Sequence, residues 1–237
     1  MTDNNELNWI RSQGRGKLYG FFSAFFSKEV NLEKLDNFHK ECLSRETKEM
    51  EEKFGNIITG SDSYSQLMEY KNKAEKDKED EELKYRVEFA HLFLLPEGVR
   101  PYESVYRGKK KLLMDKPWEE VKNFYRKVGV VKDKEEHHPE DHISVELGFM
   151  SFISHLTAES LEEERDVSPL VKLQIEFLQE HLLKWLPQLK DNILENKYAD
   201  IYRPLVKLVE EFLQTDIDNL YNVNTYLENC SSSEAKK

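Results

Sequence analysis

The run Leu18-Tyr19-Gly20-Phe21-Phe22-Ser23-Ala24-Phe25-Phe26 decides the fold class. Leu18, Phe21, Phe22, Phe25 and Phe26 recur at i, i+3, i+4, i+7 and i+8, which places them on one side of an α-helix. A half-buried strand would need strict alternation. The same period continues outward. Leu35, Phe38 and Cys42 follow Asn31, whose side chain suits a helix N-cap. Leu83, Val87, Ala90 and Leu94 predict a buried helix that stops at Pro96-Glu97-Gly98. The charged run Lys76–Glu82 before it reads as a solvated helix face or a loop. Val121, Phe124, Tyr125 and Val128 predict a helix with Pro117 in its first turn and Gly129 past its end. Ile143, Leu147 and Met150, with Phe149, Ile153 and Leu156, predict one that starts near Pro139. After an acidic connection, Glu159 to Asp166, the residues Leu170, Leu173, Phe177, Leu178, Leu182, Trp185 and Leu189 lie on a long helix that Pro187 should bend. Ile201, Leu205, Leu208, Val209 and Phe212 predict a last helix, with Pro204 in its first turns.

The expected fold is therefore all-α, a helical bundle. The polar stretch from Val130 to His138 lacks apolar periodicity and suggests a hinge between two subdomains. The corresponding divisions are 1–132, 133–230 and a disordered tail 231–237. The 237 residues suffice for a real core, and few breakers (9 Gly, 7 Pro) fit helices. An excess of 46 acids over 35 bases disfavours nucleic acid as a partner and favours a basic peptide. Cys42 and Cys230 match no metal or redox spacing and suit a reducing cytoplasm. The first residues, Met1 to Glu6, lack the basic and apolar regions of an export signal. Phe89–Leu95, the most apolar stretch, is too short to span a bilayer, so no direct membrane insertion is expected.

Two segments ask for more than packing. Pro101-Tyr102-Glu103-Ser104-Val105-Tyr106 offers flat apolar area with polar ends, as binding loops do, or else tyrosines over the core edge with Ser104 capping a short helix. His137-His138-Pro139-Glu140-Asp141-His142-Ile143-Ser144-Val145-Glu146 opens a helix with acids in its first turn. One turn on, His142 and Glu146 lie four apart, so they must bond each other or face a polar cleft. His138 and His142 have a zinc-helix spacing, but the metalloprotease order and a third ligand are missing. Neither a nucleophile elbow nor a phosphate loop is present, and Gly14-Arg15-Gly16-Lys17 reads as a helix boundary. Trp185 with His181 reads as core.

Together these segments resemble the TorD/DmsD/NarJ group of redox-enzyme maturation chaperones. That group shares a Pro-aromatic-x-Ser-Val-aromatic segment, here Pro101 to Tyr106, and a helix opening with Pro-x-Asp-His, here Pro139 to His142. The likeness extends over most of residues 15 to 225, taking in the N-terminal aromatic helix, Pro117-Trp118 with Val121 and Tyr125, and His181-Leu182 with Trp185 and Pro187. A departure is His138, where many relatives have an acid; Glu140 or Glu103 would then supply the charge.

The resemblance implies a cytoplasmic, non-enzymatic, TorD-like chaperone without a cofactor or metal. It would bind the twin-arginine signal peptide and apo-form of a molybdopterin-containing oxidoreductase subunit before export, as a monomer or a domain-swapped homodimer. The peptide-binding positions it implies are Phe89, Leu92, Phe93, Pro101, Tyr102, Tyr106, Pro139, Asp141 and His142, with Glu103 and Glu140 as added acids. An aromatic groove would take the leader's apolar part, and a carboxylate such as Asp141 its arginines. Two other readings stay open: a helical metal-dependent hydrolase using His138, Asp141 and His142, and a plain helical scaffold.

Overall fold

The computed structural model describes residues 7, 8, 10, 13–54, 56–132 and 135–234. Among them the regular structure is helical, and the sole strand-like pairing is an isolated antiparallel bridge between Tyr102 and His142. The helices are α1 (Gln13–Ser27), α2 (Leu32–Cys42), α3 (Arg45–Phe54), α4 (Asp62–Lys76), α5 (Lys78–Phe89) and α6 (Glu103–Arg107). They continue as α7 (Lys116–Lys127), α8 (Ile143–Glu162), α9 (Ser168–Phe177), α10 (Leu183–Glu195) and α11 (Tyr202–Glu234). Two π-turns interrupt the regular winding: Ala90–Leu94 prolongs α5, and Leu178–Leu182 joins α9 to α10.

The capping chemistry matches the sequence where local rules suffice. Asn31 accepts the Lys34 amide at 2.8 Å, Pro117 sits in the first turn of α7, and Gly129 takes a φ of 71° beyond its end. The aromatic stripe of α1 fills the centre. Tyr19 and Phe22 meet Phe212 of α11 at ring-centroid distances of 5.0 and 5.5 Å, and Phe25 meets Phe38 of α2 at 5.6 Å. Burying rings of this size contributes roughly 1.5–3 kcal/mol each, so this stripe ties the first helices to the last.

The other side of α1 lies against α8 at close range. A Cβ at Gly16 would come within 2.7 Å of the His155 ring, so a side chain there would have to displace that ring. Ser151 donates to the Gly16 carbonyl at 2.8 Å and Ser23 to the Ser144 carbonyl at 2.7 Å. One contiguous core runs from Ile10 to Val223. The proposed division at 132/133 falls beside residues 133 and 134, which lie outside the described residues.

Several expectations need correction. Leu83, Val87 and Leu94 are 53%, 48% and 66% exposed, while Tyr85, Glu88, Phe89 and Leu92 are buried. The buried side of α5 is set by a polar bond that hydrophobic periodicity does not register. Glu88 accepts the amides of Asp200, Ile201 and Tyr202 at 2.7, 3.1 and 3.0 Å, satisfying the start of α11. The long helix with Pro187 is divided at the π-turn, ahead of the proline, and Pro187 lies inside α10. The first residues of the acidic connection, to Glu162, belong to α8. Ser231 to Glu234 extend α11, where a tail was expected; residues 235–237 lie outside the described residues.

Candidate functional site

The two motif segments close on each other. Ile143 N–H donates to the Pro101 carbonyl at 3.0 Å and Glu103 N–H to the Asp141 carbonyl at 2.9 Å. The Asp141 carboxylate then accepts the Ser104 amide at 2.9 Å. Helix α6 has no capping side chain of its own, so Asp141 caps it from a distant segment. This corrects the expected roles of both residues: Ser104 is capped rather than capping, and Asp141 precedes its helix rather than sitting in the first turn. Asp141 is 0% exposed. Burial pushes its pKa up, and hydrogen bonding to Ser104 pulls the other way.

Pro139 makes the preceding turn, its carbonyl accepting the His142 amide at 3.1 Å. His142 is the N-cap of α8, which begins at Ile143 rather than near Pro139. Its Nδ1 accepts the Ser144 amide at 3.1 Å and lies 2.7 Å from the Ser144 hydroxyl. An accepting Nδ1 requires the neutral ring. Burial, then the charge of His138, holds the His142 pKa well below its ordinary value. Tyr102 packs edge-on against the ring at 5.0 Å, and His138 stacks on it at 3.9 Å. The His142 side chain therefore pairs with Ser144, Tyr102 and His138 rather than with the Glu146 carboxylate. Among the described residues no group of three or more His, Cys, Asp or Glu is placed to hold a metal ion.

Beneath the clamp lies a second layer of acids. Glu146 is 0% exposed; one oxygen accepts the Trp185 indole N–H at 3.1 Å, and the other has no protein donor. It stands within hydrogen-bonding reach of Glu103, and burial first, Glu103's charge second, push its pKa well above the ordinary carboxylate range. That shift favours the protonated form of Glu146, in which a carboxyl oxygen carries a donor. Glu103 is also fully buried, and is tied to Arg107 and, at 3.0 Å, to His181 Nδ1. His181 and Trp185 are core residues by burial, as expected, and each also holds a motif acid.

The remaining expected positions separate by exposure. Phe89, Leu92 and Pro101 are buried. Phe93 is half-buried among Phe26, Phe89 and Tyr202, at 6.1, 5.3 and 5.0 Å. Tyr102, Tyr106, Pro139 and Glu140 reach the surface in part. Glu140 accepts the Trp118 indole N–H at 2.7 Å. Tyr106 stacks on Trp185 at 5.5 Å, its hydroxyl accepts from Asn192 at 3.2 Å, and burial raises its pKa to about 12.

Tyr106 also borders a cleft of about 610 Å³ between the motif loop and α10. Val99, Val105 and Tyr106 give it an apolar wall, and Glu97, Asp191 and Glu195 give it acid, beside Arg100 and Lys111. The α10 acids escaped the sequence reading because a polar helix side looks merely solvated. Arg15 escaped it too. Its Nε and Nη2 bond Asp216 at 2.5 and 2.8 Å, Nη2 also reaches Gln174 at 2.6 Å, and Tyr19 donates to Asp216 at 2.5 Å. Burial opposes the charge of Arg15, but Asp216 overrides it and holds the pKa above its ordinary value. A usable signal was present, since Arg15 stands on the same helix side as Leu18, Tyr19 and Phe22.

Comparison with known proteins bears on all of this. The chain is 28% identical over 207 residues to the chaperone protein TorD of Vibrio parahaemolyticus, covering 86% of this chain and 94% of that protein. It is 29% identical over 223 residues to the chaperone protein TorD of Vibrio atlanticus, covering 93% and 99%, and 27% identical over 215 residues to that of Aliivibrio fischeri, covering 90% and 97%. Residues 40–191 match the family model described as nitrate reductase delta subunit. That span holds both motif segments and more than half of the chain, so the chain belongs to the nitrate reductase delta subunit family, in keeping with its resemblance to the TorD/DmsD/NarJ group.

Proposed function

We propose that this chain is a chaperone, not an enzyme, that serves the maturation of a molybdopterin-containing oxidoreductase. It holds the twin-arginine leader of the apo-subunit in the cleft between the motif loop and α10. The observation that carries the reading is the placement of the cleft: its apolar wall is the Pro101–Tyr106 segment and its floor neighbour is α10, which the motif acids hold through Trp185. A leader with a basic start and an apolar middle is complementary to a cleft that offers Val99, Val105 and Tyr106 beside Glu97, Asp191 and Glu195. Family membership and the likeness to proteins named chaperone protein TorD support the class of function. The buried motif residues, Asp141, His142 and Glu103, contribute by shaping the loop rather than by touching the leader.

The test is calorimetric titration of a twin-arginine leader peptide into the full chain. Replacing both leader arginines by glutamine should weaken binding, and Tyr106→Ala should weaken it by about 1–3 kcal/mol, the usual range for a buried aromatic anchor. Equal affinity for both peptides, with Tyr106→Ala folded and unaffected, would refute the cleft as the leader site.

A further inference from the structure

Between α6 and α7 the chain runs Gly108-Lys109-Lys110-Lys111-Leu112-Leu113-Met114-Asp115. Leu112, Leu113 and Met114 are 59%, 51% and 56% exposed, in unbroken succession. Folded chains rarely leave three large apolar side chains in a row in water without a use for them. The three lysines before them are exposed as well. Lys116 is tied to Glu120 at 3.2 Å, whereas no ion pair among the described residues holds Lys109, Lys110 or Lys111.

The loop is built to present these residues. The Asp115 carboxylate accepts the amides of Lys110 and Lys116, at 3.3 and 2.9 Å, and so pins both ends of the turn. A Cβ at Gly108 would lie 2.3 Å from the Ser104 carbonyl and 2.8 Å from the same carboxylate, which leaves no room for another residue. Lys111 and Met114 take left-handed backbone conformations, with φ of 52° and 57°. Non-glycine residues adopt these only where surrounding contacts impose them.

We infer that the Lys109–Met114 loop docks the protein on an anionic lipid surface, with Leu112, Leu113 and Met114 entering the headgroup region and the lysines meeting lipid phosphates. The occupant follows from charge. The chain carries a net charge of −11 and is repelled as a whole by an anionic surface. A projecting basic tip can still approach within the roughly 8–10 Å over which salt leaves attraction unscreened. Cations beside an apolar wedge are the combination that holds a protein on an anionic bilayer. Such docking lies on the membrane and does not cross it; no helix among the described residues is long and apolar enough to cross. The inference does not rest on the leader reading, and its test uses Lys109, Lys110, Leu112 and Leu113, none of which lines the cleft.

The experiment is flotation of the full chain with vesicles of pure phosphatidylcholine or of phosphatidylcholine mixed with phosphatidylglycerol. The wild type should float with the anionic vesicles, be released by salt, and stay behind with the neutral ones. Lys109→Gln and Lys110→Gln should each lower partitioning about fivefold; Lys111 is left intact because it lines the cleft. Leu112→Ser with Leu113→Ser should lower it roughly tenfold or more, and Leu113→Ser alone serves if the pair fails to fold by circular dichroism. Equal flotation with both vesicle types, or undiminished flotation of folded variants, would overturn the proposal. So would a wild-type dimer in light scattering that the leucine variants convert to monomer, since a second copy would then be the occupant.

Discussion

Two buried polar clusters hold this helical protein together, and they solve the same problem differently. In the first, Arg15 of α1 meets Asp216 of α11 through two hydrogen bonds, with Gln174 bonding the guanidinium and Tyr19 the carboxylate, while Nη1 has no protein acceptor. Charge is balanced within the cluster. In the second, at the motif junction, Glu103, Asp141 and Glu146 are all fully buried, against Arg107 and whatever charge His181 carries. Acid is in excess there, and burial together with the charge of Glu103 raises the pKa of Glu146. The first cluster is a fixed bolt across the core. The second joins the cleft proposed for the leader to α8 and contains a titratable group with a shifted pKa.

The contrast breaks first at the bolt. Arg15→Met leaves Asp216 buried without its cation and should cost about 3–5 kcal/mol in urea denaturation. Leader affinity, measured where the variant is still folded, should be unchanged. A loss below about 1 kcal/mol would mean the bolt contributes no more than a surface ion pair.

The acid-rich cluster should instead appear in the pH dependence of stability. Glu146 has a folded pKa raised above its ordinary 4.5. Its contribution is therefore complete below that value and is lost as pH rises towards the folded pKa, by about 1.4 kcal/mol for each pH unit in which only the folded state keeps the proton. Glu146→Gln keeps the shape and cannot ionise, so its thermal unfolding should be flatter on the alkaline side. His142 has the opposite sign. Its folded pKa is depressed below 6.5, so its contribution is present above 6.5 and lost on acidification. His142→Asn, which can still cap α8, should flatten the acid side. Thermal melts from pH 4 to 9 check both, and parallel curves for wild type and Glu146→Gln would refute the proton on Glu146. His142 should add no binding dependence near pH 6–7.

These assignments mark where sequence reading succeeded and where it stopped. Helices with a continuous apolar stripe, such as α1 and α8, were legible because burial of Phe22, Phe25, Leu147 and Met150 sets their orientation. Helix α5 was misread by a rotation because Glu88, a charged residue, fixes its inward side through the amides of α11. The motif segments were recognisable as special, but their partnership was not, since Asp141 caps a helix that begins after residue 102 and lies in another segment. Long-range capping leaves no periodic trace. The cleft acids Asp191 and Glu195 were invisible for a related reason: a polar residue on a polar helix side acquires meaning only when another segment folds opposite it.

A smaller effect sharpens the division between shaping and binding. Asp141→Asn retains an acceptor for the Ser104 amide but loses the charge that suits a helix start. It should cost about 0.3–1 kcal/mol of stability, the range for a charge at a helix start, as read from the urea midpoint. An unchanged midpoint would remove Asp141 from the clamp.

The central claim is that the buried motif acids shape the cleft while exposed acids of α10 meet the leader. Calorimetric titration of the leader peptide into Asp191→Asn/Glu195→Gln and into Asp141→Asn, at low and high salt, tests it most directly. The double variant should lose roughly 0.2–1 kcal/mol of affinity per carboxylate, with a weaker salt dependence than wild type, while Asp141→Asn binds as wild type. Full affinity in the double variant, with the loss appearing in a folded Asp141→Asn, would contradict the account and return the arginine contact to the motif.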